Sequence, residues 1–252
     1  MTIAGAQDRT SPRFDRAAKQ YDALLLLSFG GPEGPDDVIP FLENVTRGRN
    51  IPRERLEDVS EHYLHFGGVS PINAQNRALI AALRDELRRQ EILLPVYFGN
   101  RNWEPYVTDT IDQMRSNGVQ RALVFVTSAF SSYSGCRQYR EDVVRAVDAL
   151  GPPEIEFDKI RGFYNHPGYI ETMVELTGQW LRDIPADRQA TTEVVFTAHS
   201  IPNTMAKGCA YEKQLAEASR LVAEALEIPS WRLAYQGRSG PPSVPWLEPD
   251  IL

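Results

Sequence analysis

His199 ends the apolar run Val194-Val195-Phe196-Thr197-Ala198 and is followed by Ser200-Ile201-Pro202. Imidazole is the side chain that changes charge near physiological pH, so a histidine at a strand exit can accept a proton or ligate a metal. A hydrogen-bonded histidine shaping a strand–loop corner would look the same in sequence, and both readings stay open. The other histidines, His62, His65 and His166, fall in no metal-ligand spacing with it. Arg47, Arg49, Arg53 and Arg55 carry a local charge of +3 with Glu54. Such a cluster suits a carboxylate-rich anion, or simply a solvated helix end. Gly30-Gly31-Pro32-Glu33-Gly34 follows a strand and precedes a helix. It is not a dinucleotide loop: Pro32 removes an N–H where a phosphate needs one. Cys136 and Cys209 have no metal-type spacing, which suits a reducing compartment.

Positioning these residues falls to short apolar runs that alternate with helical periodicity. The runs are 23–29, 93–98, 122–126, 155–160, 193–198 and 232–235. Continuous apolar runs suit strands buried on both faces, hence parallel sheets. Stripes at helical spacing fill the gaps: Val107, Ile111 and Met114; Val143, Val147 and Leu150; Ile170, Met173, Val174 and Leu181; Tyr211, Leu215, Ala218, Val222 and Leu226. Two further helices, 53–66 and 74–90, lie between the first and second strands, with Leu56, Val59 and Phe66 as anchors of the first. Gly118 and Gly151 read as helix stops, and Pro105 as a first-turn residue.

Strand–helix alternation implies an α/β fold with right-handed crossovers. Ligands of such sheets bind beyond the carboxyl ends of the strands. Those ends are Ser28–Gly31, Gly99–Asn102, Thr127-Ser128, His199–Pro202 and Gln236–Gly240.

The 252 residues suffice for one or two domains with a real core. Hydrophobic residues at 42% and charged ones at 24% exclude disordered and fibrous classes. A net charge of −7 argues against nucleic acid or an anionic membrane as a broad partner. No apolar run approaches the ~18 residues of a membrane span. Residues 1–20 lack a signal-peptide core and read as a polar tail, so a cytoplasmic protein is expected.

Four motifs in order resemble the ferrochelatases, which insert iron(II) into porphyrins. They are Leu27-Ser28-Phe29-Gly30-Gly31-Pro32, Phe66-Gly67-Gly68-Val69-Ser70-Pro71-Ile72, Phe196-Thr197-Ala198-His199-Ser200-Ile201-Pro202, and Trp231–Pro242 with Pro245-Trp246-Leu247-Glu248-Pro249-Asp250. Tyr97–Trp103 and Tyr63–Phe66 resemble the actinobacterial branch, associated with coproporphyrin III. The resemblance implies two Rossmann-like parallel-sheet domains, at 21–163 and 164–252, with a porphyrin-cleft insertion at about 44–72. It implies His199 as the catalytic residue and metal-site histidine, Phe29 on the other side of the ring, and Arg47, Ser70 and Tyr139 as porphyrin-binding. The implied partners are coproporphyrin III and ferrous iron, both substrates, handled by a monomer with neither nucleic acid nor stable membrane insertion. Protoporphyrin IX is the alternative substrate, and a non-catalytic tetrapyrrole-binding protein the alternative class.

Two departures stand out. Gly237 occupies a position where the family usually has serine. The family also continues past the point where this sequence ends, with further strands, a glutamate opposite the histidine and most ligands of a [2Fe–2S] cluster. Cys136 would be the remaining ligand, and alone it holds no cluster. The two-strand second unit is therefore expected to be incomplete, poorly soluble or early to melt, and inactive without the opposing carboxylate.

Overall fold

The computed structural model describes residues 20–189, 191–239 and 243–252. Most of the polar tail and the Gly240-Pro241-Pro242 segment lie outside the described residues. In chain order the elements are β1 (Ala23–Ser28), a 3-10 turn (Pro35–Asp37), α1 (Val38–Val45), α2 (Arg53–His65), α3 (Ile72–Arg89), β2 (Val96–Asn100), α4 (Val107–Ser116), β3 (Arg121–Val126), a π-helical turn (Tyr133–Arg137), α5 (Gln138–Leu150), β4 (Glu156–Lys159), α6 (Pro167–Arg182), α7 (Ala186–Gln189), β5 (Val194–His199), α8 (Asn203–Ala206), α9 (Tyr211–Ala225) and β6 (Trp231–Gln236).

Four strands form one parallel sheet in the order β2-β1-β3-β4, and β5 and β6 form a second parallel pair. β1 sits inside the larger sheet with all six residues buried, as an unbroken apolar strand must. Leu25 and Leu27 face a core with Val107, Ile111, Met114 and Val143 from α4 and α5. Leu24 and Leu26 face Ile80, Leu83 and Leu87 of α3 on the opposite side. This alternation follows from the two-residue period of a strand.

Three details differ from expectation. The second strand starts at Val96, not Leu93. Leu93 is 96% exposed, and Pro95 has no N–H to give, although its carbonyl accepts from Leu24 at 2.9 Å. α4 starts at Val107, two residues after Pro105. Phe66 does not anchor α2: it lies in the turn after the helix, 78% exposed, while Leu56 and Val59 pack against Phe41 and Leu42.

The smaller pair is less enclosed. β5 has no fully buried residue, with Val194, Val195, Phe196 and Ala198 half-buried and Thr197 and His199 exposed, whereas α9 turns Leu215, Ala218 and Val222 inward. Residues 245–251 form no strand but lie across this pair. Leu247 N–H donates to Ile201 O at 3.0 Å, Tyr235 N–H to Pro249 O at 2.8 Å, and Ile251 N–H to Tyr235 O at 2.9 Å. The loop that follows β3 meets α9 through a polar contact. Gln214 Oε1 accepts from the Ser131 N–H at 2.7 Å and from its hydroxyl at 2.9 Å. Phe130 fills the space beside it, against Tyr164, Tyr169 and Tyr211.

Leu25→Ala removes a fully buried side chain from the centre of the larger sheet. It is expected to lower unfolding free energy by ~2–5 kcal/mol, the range for a core cavity that cannot collapse. Leu93→Ala should change it by less than ~0.5 kcal/mol, as surface substitutions do. Denaturant titration of both variants checks the contrast.

Candidate functional site

Phe29 leaves β1 and is 36% exposed. Its carbonyl accepts from the Asn102 N–H at 3.1 Å and from Asn102 Nδ2 at 3.2 Å. Its ring meets Phe41 edge-to-face at 6.2 Å, and Phe41 meets Tyr63 and Trp103 in the same way. Edge-to-face pairs hold ring tilt as well as burying area. The open side of Phe29 is thus backed by aromatic rings from α1, α2 and the β2 exit.

Arg101, also at the β2 exit, lies between Phe29 and Tyr139. Its Cζ is 5.9 Å from the Phe29 centroid and 5.4 Å from that of Tyr139. Its side chain is only 9% exposed, and its Nε is 3.0 Å from Asp142 Oδ2. Asp142 is 8% exposed and also pairs with Arg145 through Oδ1. Oδ2 has no well-aligned donor, so its contact with Arg101 is charge attraction rather than a directed bond. Burial raises the Asp142 carboxyl above its ordinary range, while Arg101 and Arg145 pull it back. Burial pushes the Tyr139 phenol up to about 12, opposed by the Arg101 charge.

Arg47 leaves the end of α1, exposed, and donates to Asn44 Oδ1. Asn44 Nδ2 in turn donates to Tyr106 Oη at 2.9 Å and to Asn102 O at 3.4 Å. Arg47 is therefore tied to the loop that holds Phe29. A cavity of about 520 Å³ opens beside it, lined by Arg47, Arg49, Arg101 and Arg145 with Asp109 and Asp142. The expected four-arginine cluster divides here. Arg53 pairs with Glu43 at 2.7 Å and Glu57 at 2.9 Å, and Arg55 lies 3.6 Å from Asp58. These partners come from the preceding helix and from one turn along α2, so only Arg47 and Arg49 face the cavity.

Ser70 lies where the turn after α2 crosses the Gly30-Gly31 loop. Its N–H donates to Pro32 O at 2.8 Å. A Cβ on Gly31 would meet Ser70 Oγ at 2.7 Å, so the glycine serves this close approach rather than a phosphate. Phe29, Arg47 and Tyr139 thus gather around Arg101 and the 102–106 loop, with Ser70 on the adjoining loop. His199 stands apart on the smaller sheet, exposed at the end of β5. Tyr211 donates to its carbonyl at 3.1 Å, and its ring has no hydrogen-bond partner among the described residues. Among those residues no group of three or more His, Cys, Asp or Glu gathers as a metal site. His166 is a helix cap: its Nδ1 accepts from the Gly168 N–H at 3.2 Å.

The ferrochelatase family model matches residues 21–252. The chain belongs to the ferrochelatase family. It is 57% identical over 232 residues to a ferrochelatase of Rhodopirellula baltica, covering 92% of this chain and 66% of that protein. It is 58% identical over 233 residues to a coproporphyrin III ferrochelatase of Mycolicibacterium vanbaalenii, covering 91% and 69%. A coproporphyrin III ferrochelatase of Streptomyces coelicolor is 52% identical over 252 residues, covering 93% and 67%. The chain spans about two thirds of the length of these relatives.

Within this ferrochelatase-family chain an iron–sulfur cluster does not fit the residues present. Two cysteines cannot supply four thiolates. Cys136 lines a cavity with Tyr139 and Val143, while Cys209 packs in the apolar cluster of the smaller sheet. Sequence reasoning missed Arg101 as a site residue, although it falls in a strand-end segment. Its pairing with Asp142 spans 41 residues and leaves no local pattern. No helix among the described residues is long and apolar enough to cross a membrane.

The buried Tyr139 phenol gives an alkaline signature. An exposed tyrosine ionises near pH ~10, whereas Tyr139 holds its proton until about 12. Its stabilisation is complete below pH ~10 and is lost as pH rises from there through about 12. The loss should reach ~3 kcal/mol, at ~1.36 kcal/mol per unit. Tyr139→Phe should lack this step, read as the difference between the two proteins' unfolding free energies across that range.

Proposed function

We propose that this chain carries the porphyrin- and iron-handling part of a ferrochelatase that inserts ferrous iron into coproporphyrin III. The single observation that carries this reading is the family match over residues 21–252. Several relatives above 50% identity bear coproporphyrin III in their names, which favours that substrate over protoporphyrin IX. The reading sets the reaction in the cytoplasm, in a monomer with two domains divided near 162–166.

Iron insertion requires that two pyrrole N–H protons leave and that iron(II) shed water. His199 is the proton acceptor in this reading: its ring is exposed and carries no competing hydrogen bond among the described residues. One pyrrole proton passes to the free imidazole nitrogen as the ring nitrogen's electron pair turns to the iron, and the second leaves to solvent water. The same lone pair is the one that would present iron, as substrate, to the ring, so His199 serves one of the two roles at a time. Phe29 has no ligating atom, so it bounds the opposite side by packing alone. Its tilt is fixed by Phe41 and by Arg101.

Coproporphyrin III carries four propionates, and the cavity beside Arg47 offers cations to match. Arg47 takes one by a charge-assisted hydrogen bond. Ser70 offers a hydroxyl from the neighbouring loop. Tyr139, buried beneath Arg101, contributes chiefly by keeping that guanidinium in place. With Arg101 balanced by Asp142, the positive potential of the cavity wall comes chiefly from Arg47 and Arg49.

His199→Ala in the full-length protein is expected to lower iron insertion by ~10²–10⁴, the weight of a general acid–base group. Porphyrin affinity should stay within about tenfold, since the imidazole acts on the centre of the ring and not on its propionates. Retention of more than half the rate would remove His199 from the mechanism. Arg47→Ala is expected to weaken coproporphyrin III by ~1–3 kcal/mol, the range for a hydrogen bond to a charged group. Protoporphyrin IX, with fewer propionates, should lose less. Equal losses in fluorescence titrations would show that Arg47 does not select for propionates.

A further inference from the structure

Asn100 closes β2 wholly out of water, and Asn73, in the first turn of α3, is 1% exposed. An amide buried this deeply needs partners. Asn100 Nδ2 donates to Asn73 Oδ1 at 3.0 Å and to Glu104 O at 2.9 Å. Asn73 Nδ2 donates over longer spans, to Gly31 O at 3.3 Å and to Glu104 O at 3.4 Å. Two side-chain amides thus join three stretches of chain: the turn after β1, the loop after β2 and the start of α3. The two residues lie 27 positions apart, so no local motif announces the pair.

The donors are what this position uses. Asn100 Oδ1 is buried and has no hydrogen-bond partner among the described residues. An aliphatic side chain of the same branched outline would leave no such oxygen behind. Burying it is a cost that the two N–H bonds must offset. The same side chain backs the turn beside Phe29. Gly30 holds φ at +81°, and a Cβ on it would lie 3.0 Å from Asn100 Cβ and 3.2 Å from Cγ. Residues 29–31 are therefore held one after another. Asn102 binds the Phe29 carbonyl, Asn100 lies against Gly30, and Asn73 binds the Gly31 carbonyl. Asn73 follows Ser70 by three residues, and Ser70 N–H donates to Pro32 O at 2.8 Å. The stretch that presents Ser70 is tied at two successive residues to the turn that presents Phe29.

We propose that Asn100 and Asn73 are positioning residues for the tetrapyrrole: their paired amides clasp the Phe29 turn to the start of α3 and so fix Phe29 relative to Ser70. This deepens the reading of Phe29 and Ser70 as porphyrin-binding and rests on it. A flat macrocycle meets the Phe29 face and the Ser70 hydroxyl at once only if their separation is set beforehand. Two loops free to drift would have to be ordered by the porphyrin itself, at a cost in affinity. Neither amide touches the porphyrin, and both act through the turn.

The test combines fluorescence titration of porphyrin with iron-insertion rates in the full-length protein. Asn100→Leu keeps the branched outline and removes both donors. Its Kd and KM for porphyrin are expected to rise roughly three- to tenfold, the factor that one net hydrogen bond represents. Coproporphyrin III and protoporphyrin IX should both weaken, because the ring face is common to them. The kcat should stay within about twofold, since a contact made alike in the ground and transition states shows in KM. Loss of folded enzyme would do the reverse, lowering kcat and leaving KM unmoved. Asn73→Ala breaks the clasp from the α3 side and carries the same test if Asn100→Leu does not fold. Joining Asn73→Ala to Asn100→Leu should weaken binding by less than about twofold beyond the worse single variant, since residues of one network are not additive. Phe29→Ala is the control for the underlying reading and should weaken both porphyrins by itself. Unmoved Kd and KM in the folded asparagine variants, beside a weakened Phe29→Ala, would overturn the clasp alone. Failure of both asparagine variants to fold would make the pair a folding element and overturn the proposal too. Unchanged binding in Phe29→Ala would overturn the reading of Phe29, and the clasp with it.

Discussion

A guanidinium with nine-tenths of its side chain out of water has to be balanced where it stands. Arg101 meets that demand with Asp142 at 3.0 Å and with two aromatic faces. Moving either ion alone into the interior costs several kcal/mol, and removing one partner of such a pair costs ~3–5 kcal/mol. The pair therefore fixes three elements together: the β2 exit through Arg101, the β1 exit through Phe29, and α5 through Asp142 and Tyr139. The aromatic group around Phe41 and the amide contacts from Asn102 and Asn44 are built outward from this point. The arginine-lined cavity is a by-product of the same balance. Asp142 answers Arg101 and Arg145, while Arg47 and Arg49 make no ion pair among the described residues.

The strands and principal helices were legible because burial on both faces leaves unbroken apolar runs. β1 is the clearest case, with Ala23 to Ser28 all enclosed. Where local signals competed, the reading slipped by a few residues. Leu93 and Leu94 look like the start of a strand, but the preceding turn exposes Leu93 and the ladder begins only after Pro95. Phe66 continues the apolar stripe of α2, yet the helix ends at His65 and the turn points the ring outward. His199 was legible as a candidate because a polar residue closed an apolar run. Arg101 was not, since only tertiary packing shows that it is enclosed. The arginine cluster was legible as charge but not as two populations, because Glu43 and Glu57 lie outside the window in which the charge was counted.

The two sheets differ in how their functional residues are held. On the larger sheet, residues near the candidate site are held by their side chains: rings against rings, amides against main-chain carbonyls, cations against carboxylates. On the smaller pair, His199 is fixed through its main chain, by Tyr211 and by the neighbours of Ser200. Gln214 links the two with one carbonyl oxygen that accepts twice from Ser131. A single acceptor shared by a backbone and a hydroxyl donor is strong in direction but small in area, with Phe130 and its tyrosines providing the apolar contact around it.

The segment 245–251 touches the smaller pair near both strand exits: at Ile201, just after His199, and at Tyr235, just before Gly237. It thus works as a buckle across the two strand exits. A buckle of this kind makes the distance between the exits a property of the strap rather than of the ladder alone. If the strap were to peel, the ladder from Val194 to His199 could stay paired. The corner carrying His199 would nonetheless lose the Leu247 anchor of Ser200 and the backing of Tyr235 together. Order at the histidine is therefore set by the least stable of three strands of chain, two of them far away in sequence. Slow amide exchange along β5 would say little about how well that histidine is held.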